Sequence, residues 1–394
     1  MLVSILLDVF LIALLVAYLV YGYRTGLIRS LGSIVGVVVG AFLAILLVPV
    51  VNAWIQDPSL RTIATIAIVV ALVLGCYYGG EALGRVIQSR LKGMGLRRVD
   101  RALGAIVVTL VAALVISTLA SSISALGVPP ISQAIASSQV LRFINAVTPV
   151  PVQSFMAQVR SATVGQSLPR IAQAFGGNLS TSIPNVATDT PALNQAAQSV
   201  VRITGNAYAC GQSQSGSGFV VSADRVITNA HVVAGVEHPV VDVRNGPALQ
   251  STVVYFDPTG DLAVLEVPGL NLRPLSLGTT VGAGTDAVSD GYPFGGPFVS
   301  LQVGVDNVGT LNVENIYDTG TAPREIYSLA ANVQEGDSGG PLLTTSGVVA
   351  GVIFAKGATA ANVGYAISMK SVAPVAAEAP RLTTGVSSGQ CVRG

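Results

Sequence analysis

Three residues far apart in this chain have the side-chain types needed to cut an acyl bond. Ser338 sits in the run Glu335-Gly336-Asp337-Ser338-Gly339-Gly340-Pro341. A serine hydroxyl is a poor nucleophile until a base takes its proton and fixed donors stabilise the resulting oxyanion. Glycines on both sides serve that chemistry, because without a Cβ the backbone can turn sharply and aim neighbouring N–H groups at one point. The chain holds two histidines to act as base. His231 lies in Val226-Ile227-Thr228-Asn229-Ala230-His231-Val232-Val233, read as an apolar strand ending in a polar turn, where a ring can be held rigidly and still face a cleft. His238, next to Pro239, reads as a solvated loop residue. The orienting carboxylate should be fixed at a strand, and Asp261 opens the half-buried run Leu262–Val267. Asp257, on an Asp-Pro turn, and Asp242 remain alternatives.

The surrounding sequence predicts an all-β scaffold for these groups. From about residue 196 onward, short β-branched runs alternate with Gly, Asn, Asp and Pro. They include Val200–Thr204, Gly218–Val221, Arg225–Thr228, Val240–Val243, Ser251–Tyr255, Leu262–Val267, Thr285–Val288 and Gly364–Ile367. The apolar run from Leu342 to Phe354 reads as a hairpin behind the serine turn. This stretch, 196–394, is long enough for two small barrels, with Pro268–Gly284 crossing between them.

The first third of the chain has a different chemistry. Of the 394 residues, 51% are hydrophobic and only 10% are charged, against about a quarter charged in soluble domains. Four apolar segments approach the length of about 20 residues that spans a bilayer: Leu2–Val20, Leu27–Val48, Thr62–Tyr78 and Ala102–Leu126. Residues 1–126 are therefore read as a four-helix transmembrane bundle. Arg24 and Arg29 mark the first loop, and Arg85, Arg90, Lys92, Arg97, Arg98 and Arg101 crowd the third. The positive-inside rule makes both loops cytoplasmic, so the chain after Leu126 is expected outside. Gly32, Gly36 and Gly40 form a small-xxx-small ladder for close helix approach, within the bundle or between copies.

Between these parts, residues 127–195 are rich in Ser, Ala, Gln, Pro and Gly. Ile131–Ala146 and Val152–Val164 have the spacing of amphipathic helices, and Gly176–Pro191 suits an exposed linker open to proteolysis, including by the protein itself. Cys210 and Cys391 bracket the last domain, and a disulfide between them is expected if it faces an oxidising compartment. Cys76 lies in an apolar run. A net charge of +1, with no basic block, argues against nucleic acid as a partner. No cofactor or metal motif is read.

The segment Leu7-Asp8-Val9-Phe10 through Tyr21-Gly22-Tyr23-Arg24-Thr25-Gly26-Leu27-Ile28 resembles the CvpA (colicin V production) family of multi-span proteins, which implies a membrane module. Thr-Asn-Ala-His, Asp-Leu-Ala-Val-Leu and Gly-Asp-Ser-Gly-Gly-Pro, in that order, resemble the trypsin/chymotrypsin superfamily of serine proteases, in its HtrA-like branch. That resemblance implies paired β-barrels with Ser338 as nucleophile, His231 as base and Asp261 as its orienter. It also implies an oxyanion hole from the N–H groups of Gly336 and Ser338. By the same pattern Asn332 floors the substrate pocket and Phe354-Ala355-Lys356 form its wall, so a basic P1 side chain is not expected to be favoured, with Lys356 repelling it. Asp337 takes the place of a zymogen aspartate and needs either a new N-terminus, cut near 195–202, or a local donor. The two modules together are similar to membrane-anchored acid-resistance serine proteases of actinobacteria. This likeness implies a periplasmic enzyme acting on envelope proteins under acid or oxidative stress. A silent scaffold with a protease fold is the alternative, while the α/β alternation of an α/β-hydrolase esterase is absent.

Overall fold

A computed structural model describes residues 2–54, 58–90, 94–124, 131, 134–135, 137–164, 168–171, 182–207, 212–358, 360 and 362–392. The chain divides into two compact units, one of residues 8–116 and one of residues 1–7 with 117–394.

The helical unit is drawn from α1 (Leu2–Thr25), α2 (Leu27–Trp54), α3 (Pro58–Ser89) and α4 (Met94–Ser124). Each has a stretch long and apolar enough to cross a membrane: Ser4–Thr25, Leu27–Ala44, Ile63–Ser89 and Leu96–Ile123. The glycine ladder of α2 faces α3. A Cβ on Gly36 would lie 2.8 Å from the Cys76 carbonyl carbon, and one on Gly40 would lie 2.8 Å from the Leu72 oxygen. At the α1–α2 corner, Asp100 accepts from the Ile28 N–H at 3.1 Å and from the Gln88 amide at 2.7 Å. Arg29 Nε reaches Glu81 at 2.8 Å. These polar groups are thus satisfied inside the helical unit, as a low-dielectric setting requires.

In the second unit, α5 (Gln139–Val147) and α6 (Val150–Val164) precede a two-residue strand β1 (Arg170–Ile171) and a short helix α7 (Pro191–Ala196). Ser138 caps α5 by accepting the Leu141 N–H, and the helix buries Leu141 and Ile144. The expected exposed linker is described only from residue 182; there it is mostly exposed but tacked to the second sheet. Gln302 donates to the carbonyl of Val186, itself buried, and Pro184 packs where a Cβ on Gly304 would fall.

The first sheet runs in the order β6-β5-β2-β3-β4-β8-β7. Its strands are β2 (Val200–Ala207), β3 (Gln212–Ser222), β4 (Arg225–Thr228), β5 (Val240–Asp242), β6 (Ala248–Gln250), β7 (Thr252–Asp257) and β8 (Leu262–Glu266). A one-turn helix α8 (Ala230–Val233) follows β4. The second sheet uses β9 (Asp286–Gly291), β10 (Val299–Glu314), β11 (Thr321–Ala330), β12 (Pro341–Thr344), β13 (Val349–Gly357) and β14 (Val363–Ser368). Its order is β1-β13-β12-β9-β10-β11-β14, and a further β13–β14 pairing closes it into a barrel. Helix α9 (Met369–Glu378) packs behind it. This is a chymotrypsin-like fold, with a core of fully buried β-branched and aromatic residues such as Phe219, Ile227, Tyr327 and Tyr365. The C-terminal tail crosses the first barrel, where Ser388 donates to the Val236 carbonyl at 2.8 Å and Val386 to that of Val253.

Candidate active site

The serine turn is held by bonds to both barrels. Gly339 N–H donates to Ile353 at 2.8 Å and Ile353 N–H to Gly340 at 2.9 Å, which fixes the turn to β13. From the first barrel, the Ser217 N–H donates to the Ser338 carbonyl at 2.8 Å. The Ser217 hydroxyl donates to the Gly336 carbonyl at 2.7 Å and accepts the Tyr292 N–H at 2.9 Å. Gly336 has φ +94°, in the region that favours glycine. A Cβ there would also press on Phe294 N at 2.8 Å and Gly295 N at 2.9 Å.

His231 is carried by α8 and not by the end of the strand, as its sequence context had suggested. Asn229, the residue before that helix, sends its amide to the Asp261 carbonyl at 2.8 Å instead of capping the helix. Asp261 has φ +54° at the turn into β8, a conformation that Asp tolerates better than most side chains. There its carboxylate meets His231 twice. The His231 backbone N–H donates to Oδ1 at 3.0 Å, and ring Nδ1 lies 2.9 Å from Oδ2. Both residues are buried. The alternatives are committed elsewhere: Asp242 pairs with Arg202 at 2.9 Å, Asp257 caps the Thr259 N–H, and His238 is exposed.

Ser338 is only 2% exposed, and its hydroxyl oxygen has no hydrogen-bond partner. The bond to His231 is therefore not formed in this state, and such bonds commonly tighten only when substrate arrives. Among the described residues, the N–H groups of Gly336 and Ser338 have no protein acceptor either, which leaves both free for an oxyanion. A carboxylate-held imidazole, an uncommitted hydroxyl and two free N–H groups can together carry acyl transfer through a covalent intermediate.

Asp337 lies beneath the serine. Its Oδ2 accepts the Gln334 N–H at 2.8 Å, a local donor, while Oδ1 is buried without a partner. Burial pushes this carboxyl up to about 7, against the lowering pull of the Gln334 N–H.

The pocket residues differ from expectation. Asn332 is exposed, with its side-chain oxygen accepting from Gln334 at 2.5 Å, so it does not close a floor. The buried neighbour Val333 fills the space above Gly364 instead. Phe354 and Ala355 are buried. The Lys356 ammonium lies 3.8 Å from the Glu335 carboxylate, so its charge is offset and the repulsion expected of it is weakened.

Two positioning residues escaped the sequence reading. One is Ser217, in a Ser-Gly-Ser-Gly run whose unusual density of small residues was the available signal. The other is Arg324, whose Nη1 donates at 3.2 Å to the carbonyl of Gly260, beside Asp261. Cys391 lies against Gly235, and Cys76 is a free thiol. Cys210 lies outside the described residues.

Comparison with known proteins agrees with this geometry. Residues 7–149 match the colicin V production protein family, and residues 216–352 match the trypsin-like peptidase domain. The chain is 32% identical over 98% of its length, and of the relative's, to "Serine protease Rv3671c" of Mycobacterium tuberculosis. It is 32% identical to "Putative serine protease HhoB" of Synechocystis over 41% of this chain and 39% of that one. The crystal structure of the Rv3671c protease in its active form superposes with a TM-score of 0.51 at 35% identity, covering 57% of this chain and all of that one.

Proposed function

Because this chain belongs to the family of serine proteases that join a colicin V production domain to a trypsin-like peptidase domain, we propose that Ser338, His231 and Asp261 are the catalytic triad of a membrane-tethered endopeptidase. The double contact of Asp261 with the His231 ring and backbone supports this most directly. His231 Nε2 takes the Ser338 proton as the hydroxyl attacks a peptide carbonyl, and the oxyanion is received by the N–H groups of Gly336 and Ser338. The imidazolium, held in place by Asp261, then passes its proton to the leaving amine. Water, activated by the same imidazole, hydrolyses the acyl-enzyme.

The basic loops between the apolar segments favour a protease domain on the outer face of the cell membrane, with envelope proteins as substrates. A role under acid or oxidative stress, which the sequence resemblance implies, is part of this reading. A domain on that oxidising face can carry a disulfide between Cys210 and Cys391. The buried, apolar Phe354 and Ala355 fit substrates with uncharged P1 side chains. Self-cleavage would fall in the connector between 150 and 200.

Fluorophosphonate labelling of the full chain tests the reading. The wild type is expected to label and to cleave peptides, and Ser338→Ala to do neither at unchanged thermal stability. A wild type that takes no label would make the protein a silent scaffold.

A further inference from the structure

The edge of β13 that leads away from Ser338 is occupied. Near the serine, Gly339 and Gly340 pair with Ile353. Beyond Ile353 the same strand is flanked by β1, from the connector. The Lys356 N–H donates to the Pro169 carbonyl at 3.1 Å and the Ala358 N–H to that of Ile171 at 3.0 Å. Arg170 lies opposite Lys356 and Ile171 opposite Gly357, in parallel register. Leu168, just before β1, is buried in the barrel core with Val303, Tyr327 and Val333. Ile171 packs on the core cluster that contains Phe354.

An open strand edge is a template for an extended peptide, whose backbone supplies affinity by adding a strand. We propose that residues 168–171 are a displaceable strap, occupying by strand addition the β13 edge that an extended substrate needs beside Ser338. This inference rests on the reading of Ser338 as the nucleophile. The strap belongs to the same chain as the edge it covers, so it competes at a high effective concentration. Its hold is nevertheless weak. The paired segment is two residues long, and parallel pairing is the less stable arrangement, whereas β13 pairs antiparallel with β14 over Gly351–Lys356. A peptide that forms a longer ladder can therefore displace it. Any signal that draws the connector away would raise activity without touching the triad.

The test uses the full chain in detergent, with extended fluorogenic peptides, a single-residue ester and a fluorophosphonate. Leu168→Ala removes the buried anchor, and Ile171→Asp loosens the paired end, where the side chain is only partly buried. In both, KM for the extended peptides is expected to fall roughly tenfold, the order set by losing a competing contact of a few hydrogen bonds. Ester turnover and fluorophosphonate labelling should stay at wild-type rates. Unchanged or raised KM in Ile171→Asp, with labelling intact, overturns the strap and leaves the nucleophile assignment standing. Absence of labelling in the wild type overturns both.

Discussion

The guanidinium of Arg324 lies over the ring of Phe354, its central carbon 5.3 Å from the ring centroid. The same group donates to the carbonyls of Gly260 at 3.2 Å and Glu314 at 2.8 Å. One buried cation thus joins the turn that presents Asp261 to β13, the strand that carries Phe354. Burial lowers its pKa, and the nearby Asp261 and Asp257 carboxylates raise it.

Arg324→Lys should therefore damage catalysis although it keeps the charge. A lysine ammonium cannot hold two carbonyls in a fixed fork while lying flat on a ring. Loss of one or two buried hydrogen bonds, about 1–3 kcal/mol, corresponds to a fall in kcat of roughly tenfold to hundredfold. Steady-state kinetics check this, with the pH profile of kcat as the readout that a merely structural role would leave in place.

Asp261→Asn isolates the orienting role. The Asn carbonyl oxygen can still accept the His231 backbone N–H, so the turn should fold. Its amide would face ring Nδ1 as a donor and force the wrong tautomer. The expected loss in kcat is about 10⁴-fold, the size known for this change in such a triad. Thermal unfolding within a degree or two of wild type would show that the loss is chemical. A variant retaining near-normal kcat would remove Asp261 from the mechanism.

The candidate site was legible in the sequence because Ser338, His231 and Asp261 each sit in a short motif whose residue types serve one chemical purpose. The strands from Val200 to Leu262 were also legible, since their β-branched runs are punctuated by turn residues. His231 lies one element beyond the strand its context suggests, because Ala230–Val233 is apolar enough to continue a strand and no side-chain cap marks the start of the one-turn helix it forms. The small-residue run around Ser217 marks a close approach but not its partner, since Gly336 lies 119 residues away. The long hairpin of β10 and β11 carries glycines and charges among its valines, which masks its alternation. The docking of the connector left almost no trace, because a two-residue strand has no periodicity to detect.

Two buried carboxyls give the protease domain a pH dependence of defined sign. Asp337 is pushed up to about 7 by burial. Asp290 is pushed up to about 6 by burial, offset in part by the Ser300 hydroxyl and the Arg244 guanidinium. An unfolded aspartate titrates near 4. Between these values the folded chain binds more protons than the unfolded one, so stability falls as pH rises. Acidification from about pH 8 to about 5 should stabilise the domain by a few kcal/mol from these groups alone. Melting temperatures across that range check it. Asp337→Asn should flatten much of the slope, and an unchanged slope would show that Asp337 is already ionised in the fold.

The helical unit permits a test independent of catalysis. Gly36 brings α2 so close to α3 that an added Cβ would lie 2.8 Å from the Cys76 carbonyl carbon and 3.1 Å from the Tyr77 Cα. These are backbone atoms, which cannot rotate away, so the helices must separate. Gly75, in the same apolar stretch of α3, has nothing within 4 Å of its Cβ position. Gly36→Leu should therefore destabilise the helical unit by about 1–3 kcal/mol, the usual range for overpacking. Gly75→Ala should be neutral or slightly stabilising, since alanine favours helix by about 1 kcal/mol over glycine. Denaturant titration of the full chain in mild detergent, followed by helical circular dichroism, compares the two. Equal behaviour of the variants would mean that the glycine ladder does not set the distance between α2 and α3. A loss confined to Gly36→Leu would show that close backbone approach, and not glycine content as such, holds the pair together.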